Sequence, residues 1–202
     1  MGHRFAELAF TPAVQAIQAR EGSRGAYARQ EAGAPHHDRL GPDEAAFIAA
    51  RDSFYMATVT ETGWPYVQHR GGPPGFLRVL DERTIGFADF RGNRQYISVG
   101  SLGQDDRVAL ILVDYPHQRR LKLLGRARLA EDTATLDALA VPGYRARVER
   151  GILISVEAFD WNCPQHLTPR FTAEEIKAAV APLHARIAEL ETELAARRGA
   201  NP

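Results

Sequence analysis

The stretch FYMATVTETGWPYVQHR, residues 54–70, indicates the fold more clearly than any other part of the sequence. Apolar and polar side chains alternate on both sides of Thr62 and Gly63, which is the pattern of two half-buried strands joined by a turn. Pro65 begins the second strand, where a missing backbone N–H is tolerated. The stretch therefore predicts a β-hairpin.

Further strand patterns follow this hairpin along the chain. GFLRVLDERTIGFAD (75–89) predicts two strands that turn at Asp81 and Glu82, and RVALILVDY (107–115), RRLKLLGRARLA (119–130) and RGILISVEAFDW (150–161) each predict one. Short helices are expected within residues 93–104 and 131–141. Strands joined mostly by short turns are typical of an antiparallel sheet that closes into a barrel. We therefore expect a mainly β domain over residues 53–170, flanked by helices in the α+β manner.

Residues 1–52 form a separate, Ala-rich region that predicts a helical extension. TPAVQAIQAR (11–20) has helical spacing behind Thr11 as the cap, with Pro12 in the first helical position. Residues 20–41 are rich in Gly and Pro and predict a loop. GPDEAAFIAARD (41–52) predicts a second helix, because Pro42 stands early and acidic residues fill the first turn.

Residues 171–199 predict a C-terminal amphipathic helix. Thr172 and Glu175 form a capping box, Gly199 is a suitable stop, and Pro182 predicts a kink or a break. The apolar side chains step alternately by four and three residues: Ile176, Val180, Leu183, Ile187, Leu190 and Leu194. Two interpretations remain open, since such a stripe can pack on the chain's own barrel or on a second subunit.

Composition restricts the classes of function. Lys+Arg and Asp+Glu both total 25, so the formal net charge is zero, whereas general nucleic-acid binding favours a basic excess. No apolar run approaches the roughly 20 residues that cross a bilayer, and the N-terminus lacks a secretory pattern. The single cysteine excludes an internal disulfide and suits a reducing compartment. We expect a cytoplasmic protein that binds neither nucleic acid nor membrane.

The stretch FADFRGNRQYIS (87–98) gathers Arg91, Asn93, Arg94 and Gln95 around Gly92. Arginine supplies positive charge and a planar fork of donors, as phosphate binding requires. Glycine lets the backbone approach closely, and a helix that begins near Asn93 would add its N-terminal amides. The stretch therefore predicts a phosphate site, with a solvated turn as the alternative.

The stretch QHRGGPPGF (68–76) ends a strand in three glycines and two prolines. Such a run is unsuited to ladder pairing and can leave a gap with exposed amides, where a flat ring could lie. Gln68, His69 and Arg70 would point donors at that ring. The alternative is a wide structural turn.

A third polar stretch is FDWNCPQHLTPRF (159–171), where Trp161 could stack on a ring. We interpret Cys163 as a buried structural thiol, because no base stands at a diagnostic spacing. His36, His37 and Asp38 have no metal-ligand spacing around them. They are interpreted as polar loop residues, and no metal site is expected.

Taken in order, the runs ATVTETGWPYVQHRGGPPGF (57–76) and GFADFRGNRQYISVGSLGQDDRVALILVDYPHQRRLKLLGRARL (86–129) resemble the pyridoxamine 5′-phosphate oxidase-like family of FMN-binding split β-barrels. The resemblance covers roughly residues 45–170. It implies an antiparallel split β-barrel that binds FMN between the subunits of a homodimer.

The resemblance also implies cofactor-binding positions. Arg94 matches the family's phosphate motif, and Gln95 stands where the oxidases have lysine, so Arg70 or Arg91 would replace the lost charge. The implied FMN-binding residues are Gln68, His69, Arg70, Gly71, Ala88, Asp89, Asn93, Arg94, Gln95, Arg120 and Trp161. Of these, Arg120 corresponds to a position that approaches the flavin of the partner subunit.

The C-terminal segment departs from the family. The oxidases grip the substrate phosphate with an Arg-x-His arrangement, whereas this chain has WNCPQHLTPR (161–170). We therefore do not expect pyridoxamine phosphate as the substrate. The resemblance implies an FMN-dependent oxidoreductase for an unidentified small molecule, with no catalytic side chain assigned. The alternative is a non-catalytic FMN carrier, sensor or electron-transfer protein.

Overall fold

The computed structural model describes residues 2–32 and 36–199 and contains one sheet with flanking helices. The strands are β1 (Ser53–Val59), β2 (Pro65–Gly71), β3 (Arg78–Asp81), β4 (Thr84–Phe90), β5 (Arg107–Asp114), β6 (Arg119–Ala130) and β7 (Val148–Asn162). The helices are α1 (Arg4–Ala9), α2 (Pro12–Arg20), α3 (Arg24–Glu31), α4 (Pro42–Ala49), α5 (Ile97–Leu102), α6 (Thr133–Leu139) and α7 (Ala173–Gly199).

The seven strands form one antiparallel sheet in the order β2-β1-β5-β6-β7-β4-β3. The hairpin predicted at residues 54–70 is confirmed as β1 and β2, in which Phe54 lies opposite Arg70. The other predicted strands are also confirmed. Strands β5 and β6 bury alternate side chains, whereas the five central residues of β4 are all buried. The coarse prediction of a mainly antiparallel sheet with flanking helices is therefore correct.

The sheet curls so that β1 and β2, at one end of the strand order, approach β4 near the other end. Strands β1 and β4 are separated by three others in the sheet, yet the rings of Phe54 and Phe87 lie with their centroids 5.2 Å apart. Nη1 of Arg70 in β2 donates to Oδ1 of Asp89 in β4 at 2.8 Å. No backbone ladder joins β2 to β4 within the part of the chain that the structure describes. Side chains alone cross this place, which we call the β2–β4 gap.

Gly125 marks a tight contact between β6 and β7. The register shifts there, and Glu157 becomes an extra residue of β7. A Cβ on Gly125 would lie 2.5 Å from the carbonyl oxygen of Ser155, which belongs to the backbone and cannot move aside cheaply. The glycine is therefore a packing requirement of the sheet.

Replacing Gly125 with alanine is expected to lower the free energy of unfolding by about 1–3 kcal/mol, because the methyl group overpacks the strand pair. Urea unfolding followed by circular dichroism measures the change. Gly100→Ala in α5 is the matched control, since a Cβ there meets no atom within 4 Å. Its stability should stay the same or rise, because alanine favours a helix over glycine. An equal loss of unfolding free energy in the two variants would contradict the packing role of Gly125.

The described part of the N-terminal region contains two helices more than the two predicted, α1 and α3. Thr11 caps α2 as expected and accepts from the amide of Val14 at 3.4 Å. Helix α3 lies where a loop was predicted, so that prediction is wrong for its residues. Arg24 and Glu31, at its two ends, form paired hydrogen bonds of 2.6 and 2.7 Å. This ion pair joins the two ends of a Gly-containing helix, and local composition does not indicate it.

The chain divides into two compact units, one with residues 2–114 and 119–164 and one with 115–118 and 165–199. The second unit contains α7, whose capping box is confirmed by hydrogen bonds between Thr172 and Glu175. The helix continues through Pro182, so the break allowed by the sequence does not occur. Its apolar stripe includes Ile176, Leu183, Ile187, Leu190 and Leu194, each about half exposed. Among the described helices, none is long and apolar enough to cross a membrane.

Candidate functional site

Two adjoining clefts lie at the β2–β4 gap. The first has a volume of about 190 Å³ and is lined by Gln68, Arg70, Asp89, Phe90, Gly92, Asn93, Arg94, Tyr96, Ile97, Ser98, Val99 and Glu149. The second has about 180 Å³ and is lined by Gln68, His69, Arg70, Gly71, Phe76, Phe87, Ala88, Asp89, Phe90 and Gly92. Each is smaller than the roughly 300 Å³ at which small-molecule pockets begin, but together they reach that range.

The structure brings together most of the residues that the sequence nominated. Eight of the eleven line these clefts: Gln68, His69, Arg70, Gly71, Ala88, Asp89, Asn93 and Arg94. They come from the ends of β2 and β4 and from the loop that follows β4. The curl of the sheet is the cause, because these two strands are not neighbours in it. Their roles toward a cofactor remain a prediction.

Strand β2 contributes Gln68 and Arg70 from one of its faces. Burial alternates along the strand, so these two side chains are partly buried while His69 between them is exposed and packs near Tyr55. Oε1 of Gln68 accepts a hydrogen bond of 2.9 Å from the hydroxyl of the buried Ser98. Because this bond fixes the amide, the NH₂ group of Gln68 remains as a donor at the first cleft.

Asp89 at the end of β4 is the buried anion of the site. Its Oδ1 accepts from Arg70 at 2.8 Å, and its Oδ2 lies 3.5 Å from Nε of Arg150, which is its partner residue in β7. Burial raises the pKa of the Asp89 carboxyl above its ordinary value, and the two guanidinium groups oppose that shift. Nε of Arg70 is buried with no hydrogen-bond partner among the described atoms, so it has donor capacity to spare.

A β-bulge places a second carboxylate beside the first cleft. The register between β4 and β7 shifts after Asp89, so that Glu149 is an extra residue of β7. Bulges next to functional sites often redirect a side chain in this way. Oε1 of Glu149 accepts a 3.2 Å hydrogen bond from the hydroxyl of Tyr96 and lies 3.7 Å from Nε of Arg91. Glu149 therefore connects β7 to the loop after β4.

The loop over residues 91–96 has an unusual backbone. Arg94 and Tyr96 have φ values of 63° and 55°, in the left-handed region that costs a non-glycine residue about 1 kcal/mol or more. Nε of Arg94 donates to the hydroxyl of Tyr96 at 3.4 Å, and Oδ1 of Asn93 accepts from the amide of Gln95 at 3.1 Å. The helix predicted to begin near Asn93 begins at Ile97 instead, because left-handed residues cannot continue a right-handed helix.

The first cleft and the groups directly behind its wall together carry an excess of positive charge. The charged residues that line the cleft, Arg70, Arg94, Asp89 and Glu149, balance one another. Behind the wall, Arg91 lies near Glu149 and Arg150 lies near Asp89, so that four guanidinium groups stand against two carboxylates, and four minus two leaves +2. The chain as a whole is neutral, so this local excess is specific to the site. Such an arrangement can hold a dianion.

Gln95, Arg120 and Trp161 do not line either cleft in the described part of the chain. The guanidinium of Arg120 donates to the carbonyl of Cys163 beyond β7. The indole of Trp161 donates to Oε1 of Glu44 at 2.8 Å, which attaches α4 to β7. Trp161 thus has a structural contact within this chain, and its predicted place near a cofactor remains untested.

Two other sequence interpretations are revised by the structure. Cys163 is exposed, so the prediction of a buried thiol is wrong; the residue follows the last position of β7 and leaves the core. Of the glycines and prolines at residues 71–75, Gly71 alone lines either of the two clefts. The amide of Gly72 donates to the carbonyl of Asp52 at 2.9 Å, and a Cβ on Gly72 would lie 2.7 Å from the ring of Phe76. This run is mainly a packed turn.

Sequence reasoning missed several residues of the clefts. Tyr96 and Ser98 stand within the motif that was singled out, and their hydroxyl groups were the available signal. Glu149 lines the first cleft, and Arg150 lies behind it beside Asp89. Both stand more than fifty residues away along the chain and join the site only through the pairing of β4 with β7. No local sequence pattern predicts the pairing of β4 with β7.

Comparisons with known proteins agree with this architecture. A family model described as pyridoxamine 5′-phosphate oxidase matches residues 40–162, which is more than half of the chain. The chain therefore belongs to the pyridoxamine 5′-phosphate oxidase family. No curated protein matches the sequence.

Solved structures with the same fold include HupZ from Group A Streptococcus. It is 16% identical, with a TM-score of 0.51 over 65% of this chain and 99% of HupZ. A putative pyridoxamine 5′-phosphate oxidase from Lactobacillus delbrueckii is 20% identical, with a TM-score of 0.47 over 60% of this chain and 93% of its own. At 16% identity the similarity to HupZ concerns the fold alone.

Proposed function

We propose that this protein is an FMN-binding split β-barrel flavoprotein and an FMN-dependent oxidoreductase that acts on a small organic molecule. The observation that carries the proposal is the +2 charge excess of the groups that line the first cleft together with Arg91 and Arg150 behind its wall, at a position where the family's phosphate motif falls in the sequence. The phosphate of FMN carries about two negative charges near neutral pH, like other phosphate monoesters, and would balance that excess.

The residues of the first cleft fit a phosphate group in donor type as well as in charge. Arg70 and Arg94 both line the cleft, and the guanidinium of Arg94 has only the hydroxyl of Tyr96 as a hydrogen-bond partner in the described structure. These two guanidinium groups would donate to phosphate oxygens. Charge-assisted bonds of this kind contribute about 1.5–3 kcal/mol each.

The second cleft would receive part of the ring system. Its apolar wall is formed by Phe76, Phe87 and Ala88, and the amide of Gln68 stands at the border between the two clefts. With its oxygen engaged by Ser98, Gln68 offers N–H donors, which suit the carbonyl oxygens of a flavin. Specificity for the ring would thus come from a few polar groups on an apolar surface.

We also propose that two chains form the complete site as a homodimer. The outer face of the β1–β2 hairpin, which borders the clefts, exposes apolar side chains; Tyr55 is 42% and Val67 is 60% exposed. Trp64 in the connecting turn is 73% exposed. Exposed apolar side chains of this kind suit a subunit contact, and an isologous pair would enclose a ring that one chain leaves open.

The cleft residues are better suited to binding than to proton transfer. Asp89 and Glu149 both border the first cleft, but each is held by arginines and therefore has no free role as an acid or base. Bound FMN would supply reversible hydride transfer, the chemistry that these side chains lack. The chain would position the cofactor and exclude water from its apolar side.

The same observation supports the second candidate function, a carrier of FMN without a substrate of its own. The two candidates differ in whether a physiological reductant reaches the flavin. An oxidoreductase accepts electrons from NAD(P)H and passes them to an acceptor over many turnovers. A carrier would be reduced by dithionite but not by NAD(P)H.

The purified protein is expected to be yellow, to absorb at about 450 nm as flavins do, and to sediment as a dimer. Heating should release a molecule with the mass of FMN. Bleaching by NAD(P)H followed by reoxidation with an acceptor would establish the enzyme. A Soret band would show haem instead, and protein that stays colourless and monomeric when FMN is added would refute the proposal.

A further inference from the structure

Three histidines that are far apart in sequence meet at the N-terminal end of the chain. His3 precedes α1, and His36 and His37 follow α3. A parallel bridge joins the backbones of His3 and His36, supported by hydrogen bonds of 3.1 Å from Arg4 N to His36 O and 2.8 Å from His36 N to Gly2 O. One ring nitrogen from each histidine lies within 4.8 Å of the other two.

His3 is the buried member of this cluster. It is only 8% exposed, and its Nε2 lies 3.5 Å from Oδ1 of Asp160 in β7. Its Nδ1 is buried with no hydrogen-bond partner among the described atoms. Leaving a buried polar atom unpaired is costly, so this nitrogen calls for an additional ligand.

His37 has a matching arrangement. Its Nδ1 lies 3.2 Å from the carbonyl oxygen of Phe159, which leaves Nε2 as the nitrogen for another partner. The rings of His3 and His37 are stacked with centroids 4.1 Å apart.

We propose that His3, His36 and His37 bind a divalent transition-metal ion of the zinc type. Three imidazole donors without thiolate or extra carboxylate ligands suit Zn²⁺ and its neighbours, and they do not suit Mg²⁺ or Ca²⁺. Metal-binding histidines usually hold their second nitrogen against a carboxylate or a backbone carbonyl. Asp160 stands in this position for His3, and the carbonyl of Phe159 does so for His37.

The site would act as a structural clip. Tetrahedral Zn–N bonds of about 2.0–2.1 Å place ligand nitrogens roughly 3.4 Å apart. Because the nitrogens lie within 4.8 Å of one another, the rings must close by up to about 1.4 Å. Closure would fasten the segment before α1 to the segment after α3, next to the end of β7. None of the three histidines lines the clefts at the β2–β4 gap. The metal would therefore support the fold apart from the flavin.

The test uses the full-length protein after treatment with EDTA and removal of the chelator. Titration with Co²⁺, followed by its visible absorption, and with Zn²⁺, followed by calorimetry, should give one ion per chain. His36→Gln is expected to weaken binding at least tenfold, because a ligand is lost. His36 is exposed, so this variant should keep its far-ultraviolet circular dichroism. His3→Gln tests the buried ligand in the same way.

His184→Gln is the matched control, since His184 is an exposed histidine of α7. It should bind Co²⁺ like the unmodified protein, and Mg²⁺ should not compete. The proposal is overturned if the unmodified protein binds neither ion at high micromolar concentration. It is equally overturned if His36→Gln binds as tightly as the unmodified chain, or if His184→Gln loses the ion. Metal binding is read without flavin, so this test is independent of the proposed function.

Discussion

Replacing Arg94 with alanine is expected to weaken FMN binding about 10- to 150-fold, which corresponds to the loss of one charge-assisted contact of roughly 1.5–3 kcal/mol. The guanidinium of Arg94 is exposed at the first cleft, and only Tyr96 engages it in the described structure. Its removal should therefore leave the fold intact. Titration of the cofactor-free protein with FMN, followed by flavin fluorescence, measures the change in Kd.

Two further variants separate charge from backbone effects. Arg94→Gly also deletes the guanidinium, but glycine accepts the left-handed φ of 63° without strain, so stability should hold or rise while binding falls equally. Arg128→Ala removes an exposed arginine of β6 that lines neither cleft, and its affinity should not change. If Arg94→Ala binds as well as the unmodified protein, or if Arg128→Ala is equally weakened, the proposed phosphate site is wrong.

The strands and the cluster of polar residues after β4 could be predicted because both depend on residues that are close together in the sequence. The alternation in residues 54–70 requires only that one face of each strand is buried, and the structure confirms the hairpin there. The Arg91–Gln95 cluster was recognisable from residue types alone. The left-handed backbone at Arg94 and Tyr96 was not, because neither residue is a glycine, the type that usually indicates such a φ.

What the sequence could not predict depends on pairings between distant strands. Glu149 and Arg150 enter the site through a bulge opposite Asp89, and a shift of one residue in that register would remove Glu149 from the cleft. The cluster of His3, His36 and His37 could not be predicted for the same reason. No metal-ligand spacing surrounds His36 and His37 in the sequence, and His3 reaches them through a bridge between distant segments.

The placement of Arg70 beside Asp89 also depends on the curl of the sheet, and the curl depends on its aromatic core. Phe87 is 1% exposed; its ring contacts Phe54 of β1 at 5.2 Å and lies 5.7 Å from the guanidinium carbon of Arg70. The ring of Phe76 also lies beside the ring of Phe87, with the two centroids 6.5 Å apart. Phe87 thus contacts residues from both sides of the β2–β4 gap.

Replacing Phe87 with alanine is expected to lower the free energy of unfolding by about 3–5 kcal/mol, because the loss of a buried ring leaves a cavity that neighbouring strands cannot fill. Phe87→Leu keeps most of the apolar volume and should cost less than half as much. Urea unfolding of the cofactor-free protein measures both changes and excludes any contribution from bound flavin.

Phe171→Ala is the matched control, since that phenylalanine is 59% exposed and the same atoms are removed. Its cost should stay within about 0.5 kcal/mol, as for other surface substitutions. If Phe87→Ala were as mild as Phe171→Ala, the aromatic contact between β1 and β4 would not hold the sheet in its curled form. Since Gln68 and Arg70 reach Ser98 and Asp89 only across that curl, a mild effect would also remove the structural basis of the two clefts.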